Sequence, residues 1–178
     1  MKTLLLLRHA KSGWDEAVKR DFDRPINDRG RRAARRMGEE MRALGLHCSK
    51  IIASPALRVR ETIGCTGDGL GHLLDAEYDT RAYLASPAVL LDLIHEADDV
   101  QDCLMIVGHN PGLESLALML TVEDGSVGRE ALSVKYPTAT LAQISLPVAR
   151  WRDVAGGAGA LERFVRPRDL DPSLGPDC

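Results

Sequence analysis

The four cysteines, Cys48, Cys65, Cys103 and Cys178, stand far apart, and no C-x-x-C pair occurs. That spacing argues against a zinc site or a disulfide framework. It predicts that Cys48, Cys65 and Cys103 are ordinary small hydrophobes and that Cys178 is the end of a tail. Long apolar runs are missing too. The run after Met1 is only about five residues, with no Ala-x-Ala-like site behind it. A secretory signal needs a longer stretch and a spanning helix about 20 residues, so the chain reads as cytoplasmic and free of the membrane. There is no excess of positive charge, since the formal net charge is −3, and nothing draws the whole chain toward nucleic acid. The cluster Arg29, Arg31, Arg32, Arg35 and Arg36 lacks interleaved aromatics and is followed by Glu39 and Glu40. It reads as a solvated helix face and not a nucleic-acid patch. No repeat is visible, no oxygen-rich Mg²⁺ motif is present, and "GDGLG" at 67–71 lacks the G-x-G-x-x-G spacing of a dinucleotide loop. It reads as a helix stop.

What is present is an ordinary globular composition on a chain of 178 residues, long enough for one domain with a substantial core. The charge is uneven. Residues 1–40 hold 11 Lys/Arg against 7 Asp/Glu, a net of +4 that leaves −7 for the remainder. Thr3 to Leu7 is continuously apolar, as in a strand buried on both faces of a parallel sheet. Residues 10–26 are polar, irregular and long for a plain connection. Asn27 is a candidate cap for a helix with Ala34, Met37, Met41 and Leu44 on one face, stopping at Gly45. Lys50 to Ala53 reads as a strand, with Ser54 capping a helix that starts at Pro55. Ser86-Pro87 repeats that device. Cys103 to Val107 is a buried strand running into Gly108-His109-Asn110, with Pro111 opening another helix. Thr138 to Leu146 and Leu161 to Val165 are two further strands. The alternation predicts a three-layer α/β/α sandwich with a mostly parallel central sheet. The domain spans 1–167, and 168–178 reads as a loose C-terminal tail.

Three strand ends share one feature. Arg8-His9 ends the first strand, Arg58 lies in the first turn of the helix after the second, and His109 ends the strand near residue 105. In a parallel sheet these junctions fall on one edge, where ligands of open α/β folds bind. Two guanidiniums and two imidazoles converging there suit a tetrahedral dianion, because Arg presents a planar fork to phosphate oxygens and keeps its charge. Nearby helix N-termini add N–H donors. No carboxylate motif of comparable clarity accompanies them.

The segments "LLLLRHAKS", "RPINDRG", "ASPALRVRET" and "IVGHNPG" resemble, in order, the motifs of the histidine phosphatase superfamily, which includes the phosphoglycerate mutases. Within it they are most similar to the short SixA-type phosphohistidine phosphatases. The resemblance implies a phosphoglycerate mutase-like fold and a set of roles. His9 would be the nucleophile that forms a transient phosphohistidine. Arg8 and Arg58 would clamp the phosphoryl oxygens, and His109 would be a further donor. Arg24 would reach the same phosphate, with Lys11, Ser12 and Asn110 as rim contacts. No metal or cofactor is implied. The substrate would be a phosphorylated, histidine-containing protein or a small phosphate ester.

Two departures from the motif stand out. Ala10 replaces the usual glycine. And the glutamate that many members place after the third strand has no clear equivalent in "AEYDTRAYLASP", where Asp79 and Glu77 are candidates and Arg81 takes the aligned position. Lack of a strong acid fits a good leaving group such as imidazole. Other readings remain for the rest. His47, His72 and His95 read as surface or loop residues, Glu61 and Arg60 as exposed helix positions, and Trp14 as packing over its loop. Asp21 or Asp23 would orient Arg24. A phosphatase of small phosphomonoesters and a non-catalytic phosphate-binding module are the rival functions.

Overall fold

The computed structural model describes residues 1–14 and 18–175, so the expectation for Cys178 lies outside the described residues. Six strands form one sheet: β1 (Lys2–Arg8), β2 (Lys50–Ala53), β3 (Glu77–Tyr78), β4 (Cys103–Gly108), β5 (Leu141–Leu146) and β6 (Ala160–Val165). Their order is β3-β2-β4-β1-β5-β6. The pairs β3–β2, β2–β4 and β4–β1 are parallel, whereas β5 and β6 add antiparallel at the far side. The helices are α1 (Asp28–Ala43), α2 (Leu57–Leu70), α3 (Pro87–His95), α4 (Gly112–Leu120), α5 (Val127–Val134) and the short α6 (Pro167–Leu170). No helix among the described residues is long and apolar enough to cross a membrane.

The leucine run of β1 works as its pattern predicts. Leu5 and Leu7 pack on one face with Met37 and Met41 of α1 and Val59 and Ile63 of α2. Leu4 and Leu6 pack on the other with residues of α3, α4 and α5. Side chains alternate across a strand, so an unbroken apolar run needs a cover on both sides. The register then levels the strand ends. Arg8 pairs with Gly108 across β1 and β4, and Ala53 pairs with Val107 across β2 and β4. Beyond the strands the His9 amide donates to the Gly108 carbonyl at 3.0 Å, and the Ser54 amide to that of Val107 at 3.0 Å.

Four expectations are corrected. Ser54 caps no helix. α2 begins two residues later than expected, at Leu57, with Ala56 in the cap position. β5 begins at Leu141 and not Thr138, because Ala139 turns into the left-handed region (φ 57°) and its amide donates to the carbonyls of Arg8 and His9. The supposed loose tail is ordered through 175: α6 and the turn Pro172–Leu174 follow β6, and Leu174 is buried in a small cluster with Ala33 and Ala34 of α1. Last, Cys48 and Cys103 form a disulfide, with Cα atoms 4.9 Å apart. The pairing of β2 with β4 brings these residues together although 55 positions separate them. Only the half-buried Cys65 is a free cysteine among the described residues.

"GDGLG" is a contact between helices and only then a helix end. A Cβ on Gly69 would lie 1.9 Å from the Arg35 carbonyl oxygen, and one on Gly38 would lie 2.0 Å from that of Thr66. The helix continues to Leu70 and stops at Gly71, which has φ 92°. Gly69→Ala is therefore expected to cost about 1–3 kcal/mol through overpacking. Gly64→Ala, which meets nothing within 4 Å, should be neutral or stabilising by up to about 1 kcal/mol. Denaturant unfolding of the two variants checks the contrast.

Candidate active site

The carboxyl edge of the parallel strands holds a cavity of about 270 Å³. The structure brings Arg8, His9, Arg58 and His109 into its wall, and Lys11, Ser12, Arg24 and Asn110 line it as well. His9 and His109 face each other with ring centroids 5.2 Å apart. His9 Nδ1 lies 2.8 Å from the Ala10 carbonyl oxygen. An oxygen there can only accept, so Nδ1 carries the hydrogen and Nε2 keeps the lone pair. The loop under His9 is pinned to α2: the Ala10 amide donates to Thr62 Oγ1 at 2.9 Å, and that hydroxyl donates to the Arg58 carbonyl at 2.6 Å. It is pinned to α1 as well. Gly30 sits where a Cβ would come within 2.3 Å of the Lys11 carbonyl oxygen, which accounts for the glycine in "RPINDRG".

Arg58, only 2% exposed, is held from two sides. Its Nη1 donates to the Asp21 carbonyl at 2.7 Å and its Nη2 to Asp21 Oδ2 at 2.9 Å. Nη2 also reaches His109 Nδ1 at 3.2 Å. A guanidinium only donates, so His109 Nδ1 accepts, and its Nε2–H donates to Ser54 Oγ at 2.8 Å. Asp21 further accepts from Tyr83 Oη at 2.7 Å and from Arg24 Nη1 at 2.9 Å. Arg24 Nη2 donates to Ser12 Oγ at 2.8 Å, and its guanidinium lies 4.7 Å from the ring centroid of Trp14. Trp14 thus packs against Arg24 of its own loop while its ring stays 60% exposed. Arg8 donates from Nη1 to the Tyr136 carbonyl at 2.7 Å, and Asn110 donates from Nδ2 to the same oxygen at 3.1 Å and to Glu114 at 2.8 Å. Tyr136 is fully buried, its hydroxyl donating to the Leu6 carbonyl at 2.6 Å.

The electrostatics follow from burial beside fixed cations. Burial, then His109, Arg58 and Arg8, push the His9 imidazole down to about 3. Burial, then Arg58 and Arg8, push His109 down to about 4. Both rings are neutral near pH 7. Asp21 goes the other way: burial alone would raise its carboxyl, but the hydrogen bonds from Tyr83, Arg24 and Arg58 outweigh it and hold the group well below the usual range. The Nε atoms of Arg8, Arg24 and Arg58 are buried without a partner. Three guanidiniums and two neutral imidazoles, with Asp21 the one carboxylate among the described lining residues, give the cavity an excess of positive charge that suits a tetrahedral oxyanion.

Sequence comparison then places the chain. The histidine phosphatase superfamily (branch 1) matches residues 4–83. An uncharacterized protein of Mycobacterium tuberculosis, Rv1276c, is 34% identical over 164 residues, 91% of this chain and 100% of its own length. The chain belongs to the histidine phosphatase superfamily. Among solved structures it is similar to SixA of Nakamurella multipartitia, a candidate phosphohistidine phosphatase, at 26% identity and a TM-score of 0.78, covering 93% of this chain and 96% of that one. It shares its fold with the mycobacterial glucosyl-3-phosphoglycerate phosphatase Rv2419c at 16% identity and a TM-score of 0.57, over 90% of this chain and 97% of that one.

Neither acid candidate of this histidine phosphatase lines the cavity. Glu77 pairs with Lys50, and Asp79 caps the turn Thr80–Ala82 and pairs with Arg81, which also binds Glu96. From this part of the chain it is Leu84 that reaches the cavity, exposed and with a left-handed φ of 50°. Asp21, not Asp23, orients Arg24; Asp23 pairs with Arg20. Glu61 is no idle surface residue, since it accepts from the Ile26 amide at 2.7 Å and from Arg31 at 3.2 Å. Ala10 is fully buried among Ile26, Ala33 and Ala139, so the methyl fills space where the motif has none. Ser54, Tyr83 and Tyr136 escaped sequence reading. Ser54 carried a signal, because it follows β2 directly, at the same edge as His109.

The two depressed imidazoles make stability depend on pH. Unfolded histidine takes up a proton near 6.5, while His9 and His109 stay neutral in the fold until about 3 and about 4. Between roughly 6.5 and 4 the unfolded chain binds more protons, so stability falls as pH falls, by up to ~1.4 kcal/mol per pH unit for each ring. Asp21 is ionised in both states over most of this window; toward pH 4 its unfolded carboxyl begins to take up a proton and adds to the fall in the same direction, in both proteins alike. Thermal melts from pH 7 to 4.5 should show a steeper fall in Tm for the wild type than for a His9→Gln/His109→Gln variant, since His47, His72 and His95 are common to both.

Proposed function

We propose that the protein is a metal-independent phosphatase that works through a phosphohistidine at His9 and acts on phosphohistidine in a protein. One observation carries the reading: a neutral imidazole with a free Nε2 lone pair shares one cavity wall with three guanidiniums and, among the described residues, a single carboxylate. Nε2 attacks phosphorus while Arg8, Arg24 and Arg58 take the phosphoryl oxygens and neutralise their charge. The bond from phosphorus to the substrate's ring nitrogen breaks. Water then attacks the phosphorus on His9, orthophosphate leaves, and Nε2 regains its lone pair. His109 assists because Ser54 can act in either sense. Its hydroxyl accepts from Nε2–H at rest; on rotation it donates to Nε2, the hydrogen moves to Nδ1, and Arg58 Nη2, which Nδ1 accepts from at rest, turns to a phosphoryl oxygen.

The choice of leaving group rests on Asp21. It is the one carboxylate among the described residues lining the cavity, and three donors hold it ionised. A group that stays charged cannot hand a proton to a departing alkoxide. A phosphorylated imidazole needs no such help: its distal nitrogen takes a proton from solvent beforehand, and a neutral ring departs. Similarity to SixA of Nakamurella multipartitia supports the same substrate class. Small phosphomonoesters with alkyl leaving groups fit the cavity less well on this ground.

The phosphatase is expected to turn over a phosphohistidine peptide and p-nitrophenyl phosphate, with alkyl phosphates slower by about 10³ or more, the range a missing general acid commands. His9→Ala should abolish turnover of all of them, and Arg58→Ala should lower kcat by about 10²–10³. Alkyl esters cleaved as fast as the phosphohistidine peptide would refute the leaving-group argument. Activity surviving in His9→Ala would refute the nucleophile, and a wild type that binds phosphate without turnover would leave a binding module.

A further inference from the structure

A second cavity, of about 250 Å³, adjoins the first and shares Arg8, Lys11 and Thr138 with it. Six cations line it: Arg8, Lys11, Arg29, Lys135, Arg166 and Arg168. Among the described residues no carboxylate does. The charge is not fully cancelled by the described side chains. Arg166 is bound to Asp169 at 2.8 Å, and Asp169 also feels Arg168. But the side chains of Lys11, Lys135 and Arg168 make no hydrogen bond or ion pair among the described residues. Cations crowded at one concave place repel one another, and the arrangement is costly unless an anion comes between them. The cavity is also assembled from distant parts of the chain: the loop after β1, the start of α1, the connection from α5 to β5, and the segment 166–175, which Leu174 anchors to α1.

We infer that this cavity is a second anion subsite, which binds a phosphate or carboxylate carried by the substrate beside the phosphoryl group that is cleaved. The inference deepens the proposed phosphatase reading and rests on it for the identity of the first group. Shared walls fix the relation of the two sites. Arg8 and Lys11 border both, so two anionic groups a few bonds apart on one molecule are held together, and a singly charged substrate leaves the second cavity unused. The subsite acts on binding in the ground and transition states alike, so its effect falls on KM and not on kcat.

The test compares paired substrates in the wild type and in a Lys135→Ala/Arg168→Ala variant, both positions being exposed and outside the first cavity. One pair is a phosphohistidine peptide with acidic flanking residues against the same peptide with neutral ones. The other is an aryl phosphate with and without a second phosphate on the ring. The wild type is expected to favour the doubly anionic member of at least one pair by about 10-fold or more, through KM, and the preference should shrink with added salt. The double variant should lose that preference while p-nitrophenyl phosphate turnover is unchanged. Preference in the peptide pair assigns the second anion to protein carboxylates, and preference in the aryl pair assigns it to a small bisphosphate. No preference in either pair, or one that survives the double variant, overturns the subsite. Should the wild type fail to cleave any of these, the catalytic reading fails, and calorimetry decides the subsite separately. Pyrophosphate must then bind more tightly than orthophosphate to the wild type, and equally to the double variant.

Discussion

Everything at the carboxyl edge of the sheet depends on the pairing of Arg58 with Asp21. A guanidinium at 2% exposure is tolerable only when its charge is answered, and Asp21 answers it through both its backbone carbonyl and its carboxylate. The pairing leaves an excess of positive charge, because Arg8 and Arg24 stand at the same place and Asp21 is shared with Arg24 and Tyr83. Burial first, and that excess beside it, keep the two imidazoles neutral. One carboxylate thus fixes the orientation of two arginines and is itself barred from proton transfer. The same interaction builds the site and underlies the leaving-group preference we propose.

The register of the sheet supplies the geometry on which this chemistry acts. Levelling of β1, β2 and β4 puts His9, Ser54 and His109 at one height, so residues from three distant stretches meet without any long excursion of the chain. The irregular segment after β1 then folds over them, held by Glu61 at Ile26, by Thr62 at Ala10 and by the close approach at Gly30. The apolar alternation of Leu4 to Leu7 and the polar grip of the loop are two halves of one device.

Much of this was legible in the chain. The unbroken leucine run announced a doubly covered central strand, and the recurrence of strand, polar pair and helix announced a common edge for Arg8, His9, Arg58 and His109. The helix from Asn27 and the cap at Ser86 were written in local chemistry. What escaped has a common physical character: it depends on partners remote in sequence. Ser54 has the composition of a cap, and only the neighbouring strand turns its hydroxyl toward His109. Asp21 was not distinguishable from Asp23 as the partner of Arg24, and its hold on Arg58 emerges only when α2 brings that guanidinium to it. Cys48 and Cys103 gave no spacing signal because sheet pairing, not sequence proximity, joins them. Leu174 looked like part of a loose end, yet it is an anchor, since one buried leucine suffices to lay the last described turn along α1.

Tyr136 fastens three parts of the molecule at one point. Its hydroxyl grips the Leu6 carbonyl in the middle of β1, while its own carbonyl receives both Arg8 and Asn110. A displacement of the connection between α5 and β5 therefore cannot be taken up by that connection alone. It is passed to the guanidinium and the amide as a rigid shift, with the central strand as fulcrum. The wall that Arg8 and Asn110 contribute is thus braced against the central strand, whereas Leu84 enters the cavity lining as an exposed side chain.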